Sequence, residues 1–341
     1  MRSLYIHFPF CETKCHYCDF YSIGREKTRP EDAGTFERAL LAECKREANR
    51  LAPEIDTIFF GGGTPSMTDP DSMARAIEPL QLSSRIHSGT EWTMEANPSS
   101  IDRERLTEYK KIGVNRISMG VQSLNDARLA ALGRVHGRDE ALDALETLFS
   151  TGFSNVSVDL LCGVPDQPDE ELEAAMKRLL SFPITHLSCY LLTLVKGHAM
   201  YKKLPDEDTQ LRHLLLIDRV MKEHGFEHYE ISNFCKPGKQ ARHNLAYWKR
   251  QGYLGLGPSA HSYDSAAQKR WKNTSNLNKY ATLLERNESP IENVEELSTE
   301  QLEIEKWMLA LRLSEGVPEQ WLTSINQKQK ASIYRREGLI G

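Results

Sequence analysis

The run Tyr5-Ile6-His7-Phe8-Pro9-Phe10-Cys11-Glu12-Thr13-Lys14-Cys15-His16-Tyr17-Cys18-Asp19-Phe20 sets three cysteines in C-x3-C-x2-C spacing. Three thiolates can hold three irons of a 4Fe–4S cluster and leave the fourth iron open to a small molecule. A structural zinc site wants four ligands and no vacancy. His7 or His16 could complete one, but the run has no second C-x2-C or H-x3-H half. Seven cysteines is an odd count for a chain of 341 residues. They are thinly spread, which speaks against a disulfide framework and for a cytoplasmic protein. Cys44, Cys162, Cys189 and Cys235 stand alone and read as small buried hydrophobes.

Outward from this run, short apolar strands alternate with longer helical stretches. The expected strands are Ser3–His7, Thr57–Phe60, Glu91–Glu95, Arg116–Val121, Asn155–Leu161 and His186–Leu191. The expected helices are Asp32–Leu51, Asp69–Pro79, Asp102–Ile112, Arg138–Thr151 and Asp169–Ser181, several opened by a capping Asp or Ser. Such alternation implies parallel pairing and an α/β fold. Six units suggest a partial β/α barrel, with a six-stranded open sheet as the rival. In a barrel the working residues stand where strands end and loops begin.

Several polar residues fall at those ends. Gly61-Gly62-Gly63-Thr64-Pro65-Ser66 follows the second strand, and its glycines let backbone approach a ligand. The G-x-G-x-x-G spacing of a dinucleotide fold is absent. Glu95 ends the third strand in Met94-Glu95-Ala96-Asn97-Pro98, and Gln122 ends the fourth. Arg134 lies in Leu132-Gly133-Arg134-Val135-His136. Asp159 is a charge within an apolar strand, so burial requires a partner or a ligand. One reading is an internal Arg134–Asp159 ion pair; the other is a ligand pocket.

The bulk numbers exclude some classes. Hydrophobic residues are 40% and charged residues 27%, an ordinary globular composition. The net charge of −5 argues against a nucleic-acid binder that works by bulk charge. No segment reaches the roughly 18 apolar residues of a membrane span, and the N-terminus does not read as a signal peptide. Peripheral membrane association and homodimerisation stay open.

The cysteine run, with Tyr17 before its third cysteine, resembles the radical S-adenosylmethionine (SAM) superfamily. The resemblance implies a partial (β/α)6 barrel in which SAM chelates the open iron. The triple glycine looks like the loop that holds the SAM amino group, although Thr64 stands where many relatives have Glu. Four runs resemble the oxygen-independent coproporphyrinogen III oxidase branch in particular. They are Tyr5 to Cys11, Phe60 to Ser66, Met119-Gly120-Val121-Gln122-Ser123 and Asp159-Leu160-Leu161-Cys162-Gly163-Val164-Pro165. By this resemblance Tyr5, Gly62, Gly63, Thr64, Glu95, Gln122, Arg134 and Asp159 contact SAM. Asp159 would hold ribose hydroxyls, and Arg134 would clasp the SAM carboxylate through paired donors. His7 matches a family histidine; its plain reading is a side chain packed by Phe8 and Phe10.

Three features separate the chain from the oxidase and match the HemW branch of haem chaperones. Only ten residues precede Cys11, Phe20 stands where the oxidase has a further cysteine, and Arg242-His243-Asn244-Leu245-Ala246-Tyr247-Trp248 carries H-N-x-x-Y-W. Neutral imidazole is a good axial ligand for haem iron. Tyr247 and Trp248 offer flat faces for a porphyrin, and Asn244 could orient the imidazole. The plain alternative is an aromatic cluster on a strand or loop around a satisfied histidine. His261, behind a glycine-rich turn, is a second candidate ligand. The branch implies a chaperone that carries haem to acceptor haemoproteins, with SAM as ligand or switch and without oxidase turnover.

The expected organisation is a cluster-bearing barrel over 1–200, a post-barrel segment with the haem motif over 201–264 and a C-terminal domain over 265–341. In the last, Asn276–Glu288, Thr299–Leu313 and Gln327–Glu337 read as helical. The resemblance implies a small winged-helix-like domain, cut short after Gly338-Leu339-Ile340 where relatives continue.

Overall fold

A computed structural model describes residues 1–323 and 325–337. Strands β1 (Ser3–Phe8), β2 (Thr57–Gly62), β3 (Glu91–Ala96), β4 (Arg116–Gln122), β5 (Val156–Cys162) and β6 (His186–Leu191) lie side by side, all parallel. Their residues are mostly buried on both faces, as crossover helices on one side and a filled interior on the other require. Helices α1 (Asp32–Glu47), α2 (Pro70–Ile77), α3 (Arg103–Ile112), α4 (Asp126–Ala131), α5 (Arg138–Ser150) and α6 (Asp169–Leu180) connect them. Capping follows expectation only in part. Asp69 and Asp102 accept backbone N–H groups of Ser72 and Arg105. Asp32 instead lies inside α1 and pairs with Arg29 at 2.6 Å.

One observation decides between barrel and open sheet. Tyr5, Phe59, Glu95, Arg116, Asp159 and His186, one from each of the six strands, line a single interior cavity of about 180 Å³. Strands spaced at roughly 4.8 Å in a flat sheet would hold the outer two more than 20 Å apart. The sheet therefore curls into a partial barrel.

The sheet continues past the six expected strands. Helix α7 (Glu207–Glu223) leads to β7 (Glu227–Glu230) and β8 (Asn233–Cys235), which extend the β6 edge antiparallel. Helix α8 (Arg242–Trp248) leads to β9 (Tyr253–Leu256), a seventh parallel strand beside β1. Strands β10 (His261–Asp264), β11 (Lys269–Asn273) and β12 (Ile291–Glu296) complete a twelve-stranded sheet. The expected division at residue 264 thus falls on a turn between paired strands of one sheet. Buried Glu43 of α1 ties the regions together. It accepts hydrogen bonds from the Gly257 N–H (2.7 Å), Asn273 Nδ2 (2.6 Å) and the Tyr280 hydroxyl (2.6 Å).

Helices α9 (Leu277–Glu285), α10 (Thr299–Ala310) and α11 (Ile325–Arg336) follow the three expected C-terminal helices. Ser298 and Gln301 close α10 with a reciprocal capping box. The Gly338-Leu339-Ile340 run lies outside the described residues. Among the described residues, no helix is long and apolar enough to cross a membrane.

Candidate functional site

The cysteine loop leaves the end of β1 and returns through a short parallel bridge of Phe10–Cys11 with Ile23–Gly24. Cys11, Cys15 and Cys18 are free thiols that line one cavity of about 560 Å³ at the C-terminal ends of the strands. Two donors reach the sulfurs: Thr64 Oγ1 to Cys11 and Arg134 Nη1 to Cys15, each at 3.5 Å. Such donors stabilise thiolate charge. Burial pushes the Cys11 and Cys18 thiols up, so a bound metal would itself supply the drive to deprotonate them. Among the described residues no three His, Cys, Asp or Glu side chains converge as a single-ion site needs. Three thiols in one cavity whose described lining residues include no histidine are the donor set of a cluster with one open iron more than of a closed zinc site.

Seven of the eight residues expected to meet SAM line this cavity: Gly62, Gly63, Thr64, Glu95, Gln122, Arg134 and Asp159. Gly62 has φ +112°, and a Cβ there would meet the His7 imidazole at 2.5 Å. Its N–H donates to Glu95 Oε2 at 3.0 Å, so Glu95 shapes the glycine loop as well as facing the cavity. Burial and the nearby Asp159 raise the Glu95 carboxyl to about 7. Burial also raises Asp159, which accepts from the Ser118 hydroxyl at 3.3 Å.

The expected alternative of an Arg134–Asp159 ion pair is not formed among the described residues. Arg134 Nη2 donates instead to Asn97 Oδ1 and the Gly120 carbonyl, each at 2.6 Å. Its buried Nε has no partner. Arg134 and Asp159 both line this cavity without pairing with each other, as groups that would meet the carboxylate and ribose hydroxyls of a zwitterionic ligand do.

Tyr5 is the exception. It faces the deeper 180 Å³ cavity, and its hydroxyl bonds to His7 Nδ1 at 3.0 Å. His7 Nε2 bonds to the Tyr21 carbonyl at 2.8 Å. His7 is thus a satisfied core histidine, but Tyr5 and Tyr21 flank it. Phe8 and Phe10, expected to pack it, turn to Phe36 because alternate residues of a strand face opposite sides.

The H-N-x-x-Y-W segment forms helix α8 where a strand or loop was the plain expectation. The buried Glu91 carboxylate accepts the N–H groups of Arg242 (3.2 Å) and His243 (3.1 Å). His243 is 1% exposed. Its Nδ1 bonds to Thr57 Oγ1 at 2.8 Å and its Nε2 to the Tyr247 hydroxyl at 2.7 Å. The ring stacks on Phe59 at 5.2 Å. Burial lowers this imidazole to about 3. Both nitrogens are occupied, so iron ligation would require breaking one of these bonds.

The motif does not present one face. His243, Asn244 and Tyr247 line the barrel interior, whereas Trp248 lines a separate cleft with Tyr263 and Trp321. This corrects the expectation of a single porphyrin wall: adjacent positions on a helix diverge by about 100°. His261 is exposed on β10 and lines neither cavity.

Three residues of this region were not singled out from sequence. Asn97 accepts from Arg134 and lies beside His136 Nδ1 at 3.1 Å; it stands two places after Glu95 in the same quoted run. Arg116, 2% exposed, points into the interior with one long bond to Thr93 and an unpartnered Nε. His186 is locked between Ser157 and Tyr229. The available signal was a charged or polar residue opening an apolar strand.

The family model of the radical SAM superfamily matches residues 5–179. The chain is 32% identical to "Heme chaperone HemW" of Mycobacterium tuberculosis, over 99% of this chain and 88% of that protein. It is 33% identical to HemW of Bacillus subtilis, over 93% and 85%. It is 37% identical to mouse "Radical S-adenosyl methionine domain-containing protein 1, mitochondrial", over 76% and 60%. Coproporphyrinogen III oxidase (HemN) from Escherichia coli superimposes with a TM-score of 0.79 over 91% of this chain and 75% of its own, at 22% identity. That likeness establishes the shared architecture. The cysteine loop, the strand-end carboxylates and these near full-length alignments agree, and the chain belongs to the HemW family of the radical SAM superfamily.

Proposed function

We propose that this protein is a haem chaperone: it binds haem and passes it to acceptor haemoproteins from a scaffold that holds a 4Fe–4S cluster and SAM. The observation that carries the reading is the 32% identity, over 99% of the chain, to a protein named a haem chaperone. Cys11, Cys15 and Cys18 would hold the cluster, whose open iron anchors SAM. The residues around it do the rest. Gly62 and Gly63 admit the ligand backbone-close, with Thr64 beside them, and Glu95 fixes that loop. Asp159 and Gln122 offer acceptors and donors to the ribose side, and Arg134 offers its guanidinium to the carboxylate. Seven unpaired thiols are consistent with a reducing compartment, the cytoplasm.

The test is a hemin titration of anaerobically reconstituted protein, followed in the Soret band, beside an assay of coproporphyrinogen III decarboxylation with SAM and reductant. Near one-to-one hemin binding, transfer to an apo-haemoprotein and no decarboxylation are the expected results. Efficient decarboxylation would replace the chaperone reading with the oxidase.

A further inference from the structure

We propose that haem sits in the cleft between the outer side of α8 and the C-terminal helices, and not against His243; this rests on the haem-chaperone reading. The cleft has a volume of about 630 Å³, within the roughly 300–1,000 Å³ of small-molecule sites. Trp248, Tyr263 and Trp321 give it three aromatic walls, and Leu302, Ala310 and Leu313 line it further. Trp321 is braced edge-on by Trp307 at 5.6 Å. Rigid aromatic walls suit a flat apolar macrocycle.

The charge at the cleft fits the other half of a haem. Arg250 lines the cleft, and Arg312 lies over the ring of the lining Trp248 at 5.6 Å. Neither has a carboxylate within ion-pair distance among the described residues. The Arg250 Nη groups go to the Leu302 carbonyl (2.9 Å) and the Tyr263 hydroxyl (3.4 Å), and its buried Nε has no partner. A cation so placed wants an anion. Lys249 and Lys306 pair with exposed Glu315 and Glu303, contacts that exchange at little cost. An occupant with an apolar disc and two carboxylates on one edge meets each of these groups.

Among the described residues, no histidine, cysteine or methionine lines the cleft. Tyr263 is the lining side chain of a type that ligates haem iron, and its hydroxyl lies 3.4 Å from Arg250 Nη2. The motif then divides its labour. His243 and Tyr247 lock α8 into the barrel, and Trp248, next in sequence, is held out as a wall of the cleft.

The experiment titrates the reconstituted chain with hemin and reads the Soret band and tryptophan quenching. Trp248→Ala and Arg250→Glu are expected to weaken binding about tenfold or more, and Trp248→Phe to recover most of it. Tyr263→Phe is expected to change the ferric spectrum. His243→Gln, checked for folding by circular dichroism, is expected to bind within about threefold of the parent. Loss of binding in folded His243→Gln, with the cleft variants unaffected, would overturn the proposal and return haem to the barrel. Parent-like binding in all cleft variants would also overturn it. A parent chain that binds no hemin would overturn the chaperone reading itself.

Discussion

The two ends of the barrel are built from the same strands and treat most of their polar groups differently. At the mouth, Arg134 keeps an unpartnered Nε, Asp159 has no cation within ion-pair distance among the described residues, and burial raises the Glu95 carboxyl to about 7. At the floor, His243 is satisfied by Thr57 and Tyr247, His186 by Ser157 and Tyr229, and Glu91 accepts from the start of α8, while Arg116 beside them keeps an unpartnered Nε. Unspent hydrogen-bonding capacity in a cavity is a cost that a ligand can recover; spent capacity is architecture. The difference teaches that a polar, histidine-bearing motif can be spent on architecture while strand-end carboxylates stay open to a ligand.

The sharpest break of that comparison lies in the cluster loop. Cys15→Ala should reduce iron and sulfide from about four per chain to near zero, with thermal unfolding little changed because the core lies elsewhere. Parallel loss of fold would make the loop structural as well. Next is Gly62→Ala, which forces a Cβ into the His7 ring at a left-handed position. It should destabilise by about 2–4 kcal/mol and abolish SAM binding, read by calorimetry.

At the floor, Glu91→Ala leaves the buried His243 N–H and the half-buried Arg242 N–H without an acceptor and should cost about 1–3 kcal/mol in denaturant unfolding. SAM affinity should stay within about threefold; a larger change would couple floor to mouth.

The buried histidines predict acid lability. Burial lowers His7 and His136 to about 4 and His243 to about 3. Their stabilising contribution is full above the unfolded value of about 6.5. It is lost as pH falls toward 4, at up to about 1.4 kcal/mol per pH unit for each. His243→Gln should flatten that slope.

The smallest effect is at Glu95. Its carboxyl, raised to about 7, ionises across neutrality, so affinity for cationic SAM should rise modestly from pH 6 to pH 8. Glu95→Gln should remove the dependence.

Much of this was legible. The six parallel strands follow from short apolar runs that alternate with helical stretches, and the structure places their ends within one or two residues of the expected positions. The cavity residues were legible because polar groups at strand ends interrupt those runs. The seventh parallel strand was not, because Tyr253–Leu256 is short and its partner β1 lies some 250 residues earlier. The orientation of α8 was also hidden. A composition of His, Asn, Tyr and Trp suits a ligand wall and a barrel plug equally well.

Sequence alone determined the cluster loop, the α/β alternation and the family, because cysteine spacing and hydrophobic periodicity are local properties of the chain. Only the tertiary structure decided that Arg134 turns to Asn97 and not Asp159, that His243 is spent, and that Trp248 faces a second cleft. Those outcomes depend on which distant groups compete for each buried donor, and that competition exists only once the barrel has closed.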